Sequence, residues 1–96
     1  MKTTVVNITN IHRRDYDVYI GRPSKWGNPF KIGKNVSGVQ WTRDDVIEIY
    51  RNWVETKHPE IIEKAKRELR GKRLGCYCSP LPCHGDVLAE FADMDS

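Results

Sequence analysis

Cysteine is scarce: the chain has three, and all fall within eight positions, as Cys76, Cys78 and Cys83. Three thiols cannot all pair within one chain, which excludes a disulfide framework and points to one local site. Long apolar runs are missing as well. No window approaches the roughly 18–20 consecutive apolar residues that a membrane-crossing helix needs. The stretch from Met1 to Asn7 has no long apolar run after Lys2 and does not read as a signal peptide. Neither sign of charge dominates: 16 Lys and Arg against 13 Asp and Glu leave +3, too little to demand a nucleic-acid partner. Internal repeats and low-complexity tracts are absent. What is present is 96 residues, 39% of them apolar, enough for one modest core and too short for a second domain. The expectation is a single soluble, reduced, cytoplasmic domain over 1–96, fraying from about residue 93.

The charge is unevenly spread. Residues 1–40 carry seven basic side chains against two acidic, whereas residues 41–96 carry nine against eleven. The basic excess therefore lies in the half with few helix signals. Thr3–Ile8 is rich in β-branched residues and reads as a strand, and Asp17–Ile20 as another, stopped by Gly21. Asn10–Asp15 reads as a turn. From Gly21 to Gln40, four glycines and two prolines interrupt any period. The segment reads as a long loop with one extended piece at Phe30–Ile32, and loops of that length in small domains are commonly functional.

Thr42 then opens a helix, with Asp45 placed to complete a capping box. Val46, Ile49, Tyr50, Trp53 and Val54 form one apolar stripe. A second helix starts near His58-Pro59, presents Ile61, Ile62, Ala65 and Leu69, and stops at Gly71. Lys72–Cys78 reads as a third strand with Leu74, Cys76 and Cys78 on one face. Pro80 and Pro82 break the chain before a last helix bearing Val87, Leu88 and Phe91.

This order predicts a small α/β domain: a three-stranded, or four-stranded, mixed sheet with about three helices and a Rossmann-like crossover. The short link between the first two strands permits antiparallel pairing. The two helices between the second and third permit a parallel crossover. Parallel strands would bring the Gly21–Phe30 and Cys78–Asp86 loops to one sheet edge, where open α/β sheets bind ligands.

Both loops are dense in binding chemistry. In the first, Gly21 allows close backbone approach, and Arg22 and Lys25 suit a phosphate or carboxylate. Ser24 and Asn28 add neutral hydrogen bonds, and Trp26 offers a flat face for a base. The plainer alternative has Trp26 and Phe30 filling a gap in the core. Neither a Walker loop nor a dinucleotide fingerprint is present. In the second loop, Cys76, Cys78, Cys83 and His84 form a plausible zinc set, although their spacing is not that of two separate knuckles. Alternatively, Cys83, His84 and Asp86 at a helix start provide a nucleophile or acid–base group. In the plainest reading Cys76 and Cys83 pack, and His84 and Asp86 cap. His12 and His58 read as solvated, and the basic residues between Lys64 and Arg73 as a solvated helix face interleaved with glutamates.

The pair of segments Tyr19–Phe30 (YIGRPSKWGNPF) and Leu74–Leu88 (LGCYCSPLPCHGDVL) resembles a family of small domains of unknown function found in bacteria and bacteriophages. The resemblance runs from about residue 17 to 91. It implies a role in nucleotide metabolism, host takeover or counter-defence, in the host cytoplasm where the protein is phage-encoded. The leading functional expectation is a domain that binds a nucleotide, nucleoside or related phosphorylated ligand between the two loops, hydrolysing or sequestering it. The alternatives are a zinc-stapled module gripping a host protein or nucleic acid, and a protein inhibitor anchored by Trp26 and Phe30. No membrane partner is expected.

Overall fold

A computed structural model describes residues 2–8, 16–21, 24–34, 37–77 and 81–94. The elements run β1 (Thr4–Asn7), β2 (Val18–Tyr19), β3 (Gly33–Lys34), β4 (Gln40–Trp41), α1 (Arg43–Lys57), α2 (Glu60–Glu68), β5 (Arg73–Cys76) and α3 (His84–Asp93). The small α/β architecture expected from the element order is found. The strand order is β1-β5-β2, and both outer strands pair with β5 in parallel. The parallel pairing of β2 with β5 across the two helices is as expected. The antiparallel pairing allowed for β1 and β2 does not form, because β5 lies between them. Antiparallel pairing occurs instead in a separate ribbon, β3 with β4. The turn expected at Asn10–Asp15 lies outside the described residues.

β5 takes the centre because its side chains suit burial on both faces: Leu74, Gly75 and Cys76 are all buried. Registry puts Val5, Leu74 and Val18 in one row and Val6, Gly75 and Tyr19 in the next. The two rows face opposite sides of the sheet. Helices cover the first face, where Val5 and Val18 pack against a core containing Leu74, Val87, Leu88 and Phe91. On the second face, Ile8 and Tyr16 lie directly over Gly75. A Cβ there would sit 2.7 Å from Ile8 Cγ2 and 2.9 Å from Tyr16 Cδ2.

Local chemistry explains the helices. Thr42 Oγ1 accepts from Asp45 N at 3.2 Å, and Asp45 Oδ2 accepts from Thr42 N at 2.9 Å, closing the predicted capping box of α1. Val46, Tyr50 and Val54 are its buried stripe. Gly71, with φ of 76°, reverses the chain after α2 in a conformation that favours glycine. At α3, Cys83 is the N-cap: its sulfur accepts from Gly85 N at 3.3 Å, and Asp86 Oδ2 accepts from Cys83 N at 3.0 Å. At the carboxyl end of the described residues, α3 and Met94 are tied back to the body of the domain. Asp93 accepts from Thr3, and Arg70 donates to the carbonyls of Ala92 and Met94.

Candidate functional site

Parallel pairing puts the carboxyl ends of β1, β2 and β5 at one edge of the sheet. The chain leaves β2 through Ile20 and Gly21 and leaves β5 through Tyr77. Between these exits and the start of α1 opens a cleft of about 580 Å³, within the size range of ordinary small-molecule sites. Gly21, Asn28 and Phe30 of the first loop line it together with Cys76 at the end of β5 and with Pro82, Cys83 and His84 of the second loop. The two segments are neighbours in space, as the topology argument required.

Individual side chains are placed less as their chemistry suggested. Trp26 is 4% exposed and belongs to the core, with its carbonyl accepting from the Tyr50 hydroxyl at 3.3 Å. It therefore presents no face to the cleft, and it cannot anchor a partner in the folded state. Burial pushes the Tyr50 phenol up, keeping it a donor. Phe30 packs edge-on against Trp41 and Trp53, with centroids 6.0 and 5.8 Å away. Lys25 turns to Glu68 at 2.7 Å and lies over the Trp26 ring. That ammonium holds the Glu68 carboxyl below its ordinary range. Ser24 Oγ accepts from Trp26 N at 3.3 Å, a local turn bond. Asn28 does line the cleft, yet both ends of its amide are engaged: Oδ1 accepts from Phe30 N at 2.8 Å, and Nδ2 donates to Val46 O at 3.2 Å. Arg22 and His12 lie outside the described residues.

The second loop divides in two. His84 faces the cleft, its Nε2 at 2.7 Å from Ile20 O and its ring edge-on to Tyr50. A carbonyl only accepts, so Nε2 is the protonated nitrogen, which fixes the neutral tautomer. Asp86 faces away, capping Cys83 N and bordering a shallow groove with Thr3, Arg51 and Asp93. It does not pair with His84, because residues two apart on a helix point in different directions. Of the zinc set, Cys76 and Cys83 meet with sulfurs 3.6 Å apart, and Cys78 lies outside the described residues. Among the described residues no three His, Cys, Asp or Glu side chains are grouped to hold a metal. His58, read as solvated, is half-buried against Trp53 and meets Glu60 Oε1 at 2.9 Å.

The lining residues that sequence reasoning missed include Tyr19, Tyr77, Lys31 and Arg43. The two tyrosines share the second sheet face, since Tyr19 is level with Gly75 and Tyr77 follows two positions on. Their rings meet edge-to-face at 6.2 Å. Tyr19 also folds over Gly21, where a Cβ would come within 2.6 Å of its Cζ. Arg43, at the first position of α1, donates to Pro82 O at 3.1 Å and ties the second loop to the helix. The period-two alternation of Tyr19 and Tyr77 was a usable signal; for Lys31 and Arg43 there was none. The described lining holds these two cations and no carboxylate.

Fold and site together define an α/β protein with a ligand-sized cleft beyond the carboxyl edge of a parallel sheet. Residues 6–94 match DUF4326, a domain of unknown function, and the chain belongs to that family. It is similar to the "Uncharacterized 12.4 kDa protein in nrdA-td intergenic region" of Enterobacteria phage T4. The two are 36% identical over 88 residues, which span 90% of this chain and 76% of the relative. The family resemblance read from the two segments is borne out. No solved structure matches. Among the described residues, no helix is long and apolar enough to cross a membrane.

Proposed function

We propose that the cleft binds an anionic, ring-bearing small molecule of the nucleotide class: a nucleotide, nucleoside or related phosphorylated compound. One observation carries this reading. The cleft's described lining combines two cations, Lys31 and Arg43, with exposed aromatic surface at Tyr77 and no opposing carboxylate. Cations select a phosphate, and an aromatic face stacks on a base. The roles first given to Lys25 and Trp26 pass to these residues, since Lys25 is ion-paired elsewhere and Trp26 is core. Within this reading His84, held in one tautomer at the cleft wall, is the imidazole that a bound ligand would meet. Asp86, on the other side of the helix, takes no part.

The test is a thermal-shift and calorimetric screen of nucleosides and nucleoside mono-, di- and triphosphates, with chromatography of each mixture to detect turnover. Lys31 and Tyr77 are both exposed, so Lys31→Ala and Tyr77→Ala leave the fold intact. Each is expected to weaken binding about tenfold or more, and Lys31→Ala should flatten the salt dependence. Folded variants that bind every wild-type ligand unchanged would sink the reading.

A further inference from the structure

The nucleotide reading leaves two thiols in the cleft without a role. We propose that Cys76 and Cys83 form a peroxide-oxidisable dithiol, a modification site that closes to an intramolecular disulfide and reopens with reductant. The fold brings them together: Cys76 ends β5, Cys83 caps α3, and their sulfurs lie 3.6 Å apart. That is van der Waals contact, well beyond the roughly 2.05 Å of a disulfide, so closure requires the two side chains to rotate toward each other. Both residues are buried, at 2% and 4% exposure, and both line the cleft. A small uncharged oxidant therefore has a route that a bulky disulfide lacks.

The two sulfurs are not equivalent. Cys83 Sγ accepts the Gly85 N–H at 3.3 Å, at the positive end of the ten-residue helix α3. A donor and a helix dipole both favour negative charge on that atom. Cys76 ends strand β5, so its sulfur is a neighbour of the helix start and not part of its cap. Cys83 is accordingly the attacking sulfur and Cys76 the resolving one. The Cys83 thiolate attacks one oxygen of hydrogen peroxide and the O–O bond breaks. The departing hydroxide takes up a proton as water, leaving a sulfenic acid. Cys76 then attacks that sulfur, the S–S bond forms, and the hydroxyl leaves with the thiol proton as a second water. Two electrons pass from the thiols to the peroxide.

The experiment uses the full chain carrying Cys78→Ser, which removes the third thiol. After hydrogen peroxide and denaturing alkylation, the intact mass should fall by two hydrogens with no alkylation, and dithiothreitol should restore two alkylatable thiols. Adding Cys76→Ser should instead accumulate a sulfenic acid at Cys83 that dimedone traps. Adding Cys83→Ser, which keeps a good N-cap residue, should abolish both products. Wild-type protein provides a check that does not depend on variants folding. Chymotrypsin cleaves after Tyr77, separating Cys76 from the other two cysteines, and fragmentation should assign its bridge to Cys83. Three results would overturn the proposal: thiols that stay fully alkylatable in folded, peroxide-treated protein, a bridge through Cys78, or stoichiometric zinc that shields the pair.

Discussion

Asn28 hydrogen-bonds inward, and that decides its role. Its amide accepts from Phe30 N and donates to Val46 O, tying the first loop to α1 at the wall of the cleft. Trp26 and Lys25 follow the same pattern, one packed into the core and the other paired with Glu68. A residue type reveals which bonds a side chain can make, but not the direction in which it makes them. That is why the loop's chemistry was legible in the sequence while its cleft-facing members were not. Replacing Asn28 by Ala should cost about 1–3 kcal/mol, because it leaves a donor and an acceptor behind in a buried place. Asn28→Asp should cost at least as much at neutral pH, where a carboxylate oxygen would face the Val46 carbonyl. It should recover part of that loss in mild acid, because the protonated carboxyl regains a donor. Urea midpoints at the two pH values check this. An Ala variant within a few tenths of a kcal/mol of the parent would show that the bonds do not hold the loop.

Elements whose rules are local were legible in advance. The α1 capping box follows from Thr42 and Asp45 standing three apart, and the buried stripe from the spacing of Val46, Tyr50 and Val54. The parallel pairing of β2 with β5 was legible because two helices separate them. The partner of β1 was not, since a short link permits a hairpin without requiring one. The contest was settled by the apolar Leu74-Gly75-Cys76 run, whose burial makes β5 central. The β3–β4 ribbon has strands of only two residues, too short for any period to register. Packing between elements also reverses a local rule at Gly85. In an exposed helix, Gly→Ala gains about 1 kcal/mol. Here α3 lies so close to the sheet that a Cβ would come within 2.7 Å of Ile20 Cδ1, 3.2 Å of Val5 Cγ1 and 3.2 Å of Cys83 Sγ. Ile20 is fully buried and has little room to yield. Gly85→Ala should therefore destabilise by about 1–3 kcal/mol. A denaturant midpoint above the parent's would mean that α3 can lift from the sheet without cost.

At the scale of the molecule, one hydrogen-bonded residue pair ties the end of the last helix to the residue before the first strand. Thr3 is buried and gives Asp93 two hydrogen bonds, hydroxyl to Oδ1 at 2.6 Å and backbone N–H to Oδ2 at 3.0 Å. The same hydroxyl oxygen accepts from Gly71 N at 2.9 Å, so the turn after α2 joins the junction. These bonds from Thr3, aided by the nearby Arg70 charge, hold the Asp93 carboxyl below its ordinary 3.8. A carboxyl lowered on folding stabilises the native state above its unfolded value, and that contribution fades as pH falls through the folded value. Arg73 lowers Asp17 in the same direction, chiefly through its side-chain hydrogen bond. The protein should therefore lose stability below about pH 3.8, its carboxylates releasing the strand and helix ends that they hold. Asp93→Asn separates this junction from the rest. At neutral pH it should cost about 1 kcal/mol, less than a buried charged bond because the carboxylate remains in solvent. Parent and variant stabilities should then converge as the solution is acidified below the ordinary carboxylate range. Unfolding curves taken from pH 7 down to pH 3 measure the gap directly. A gap that stays constant across that range would assign the loss to shape rather than charge, and Thr3 would then be holding α3 without help from the ionised carboxylate.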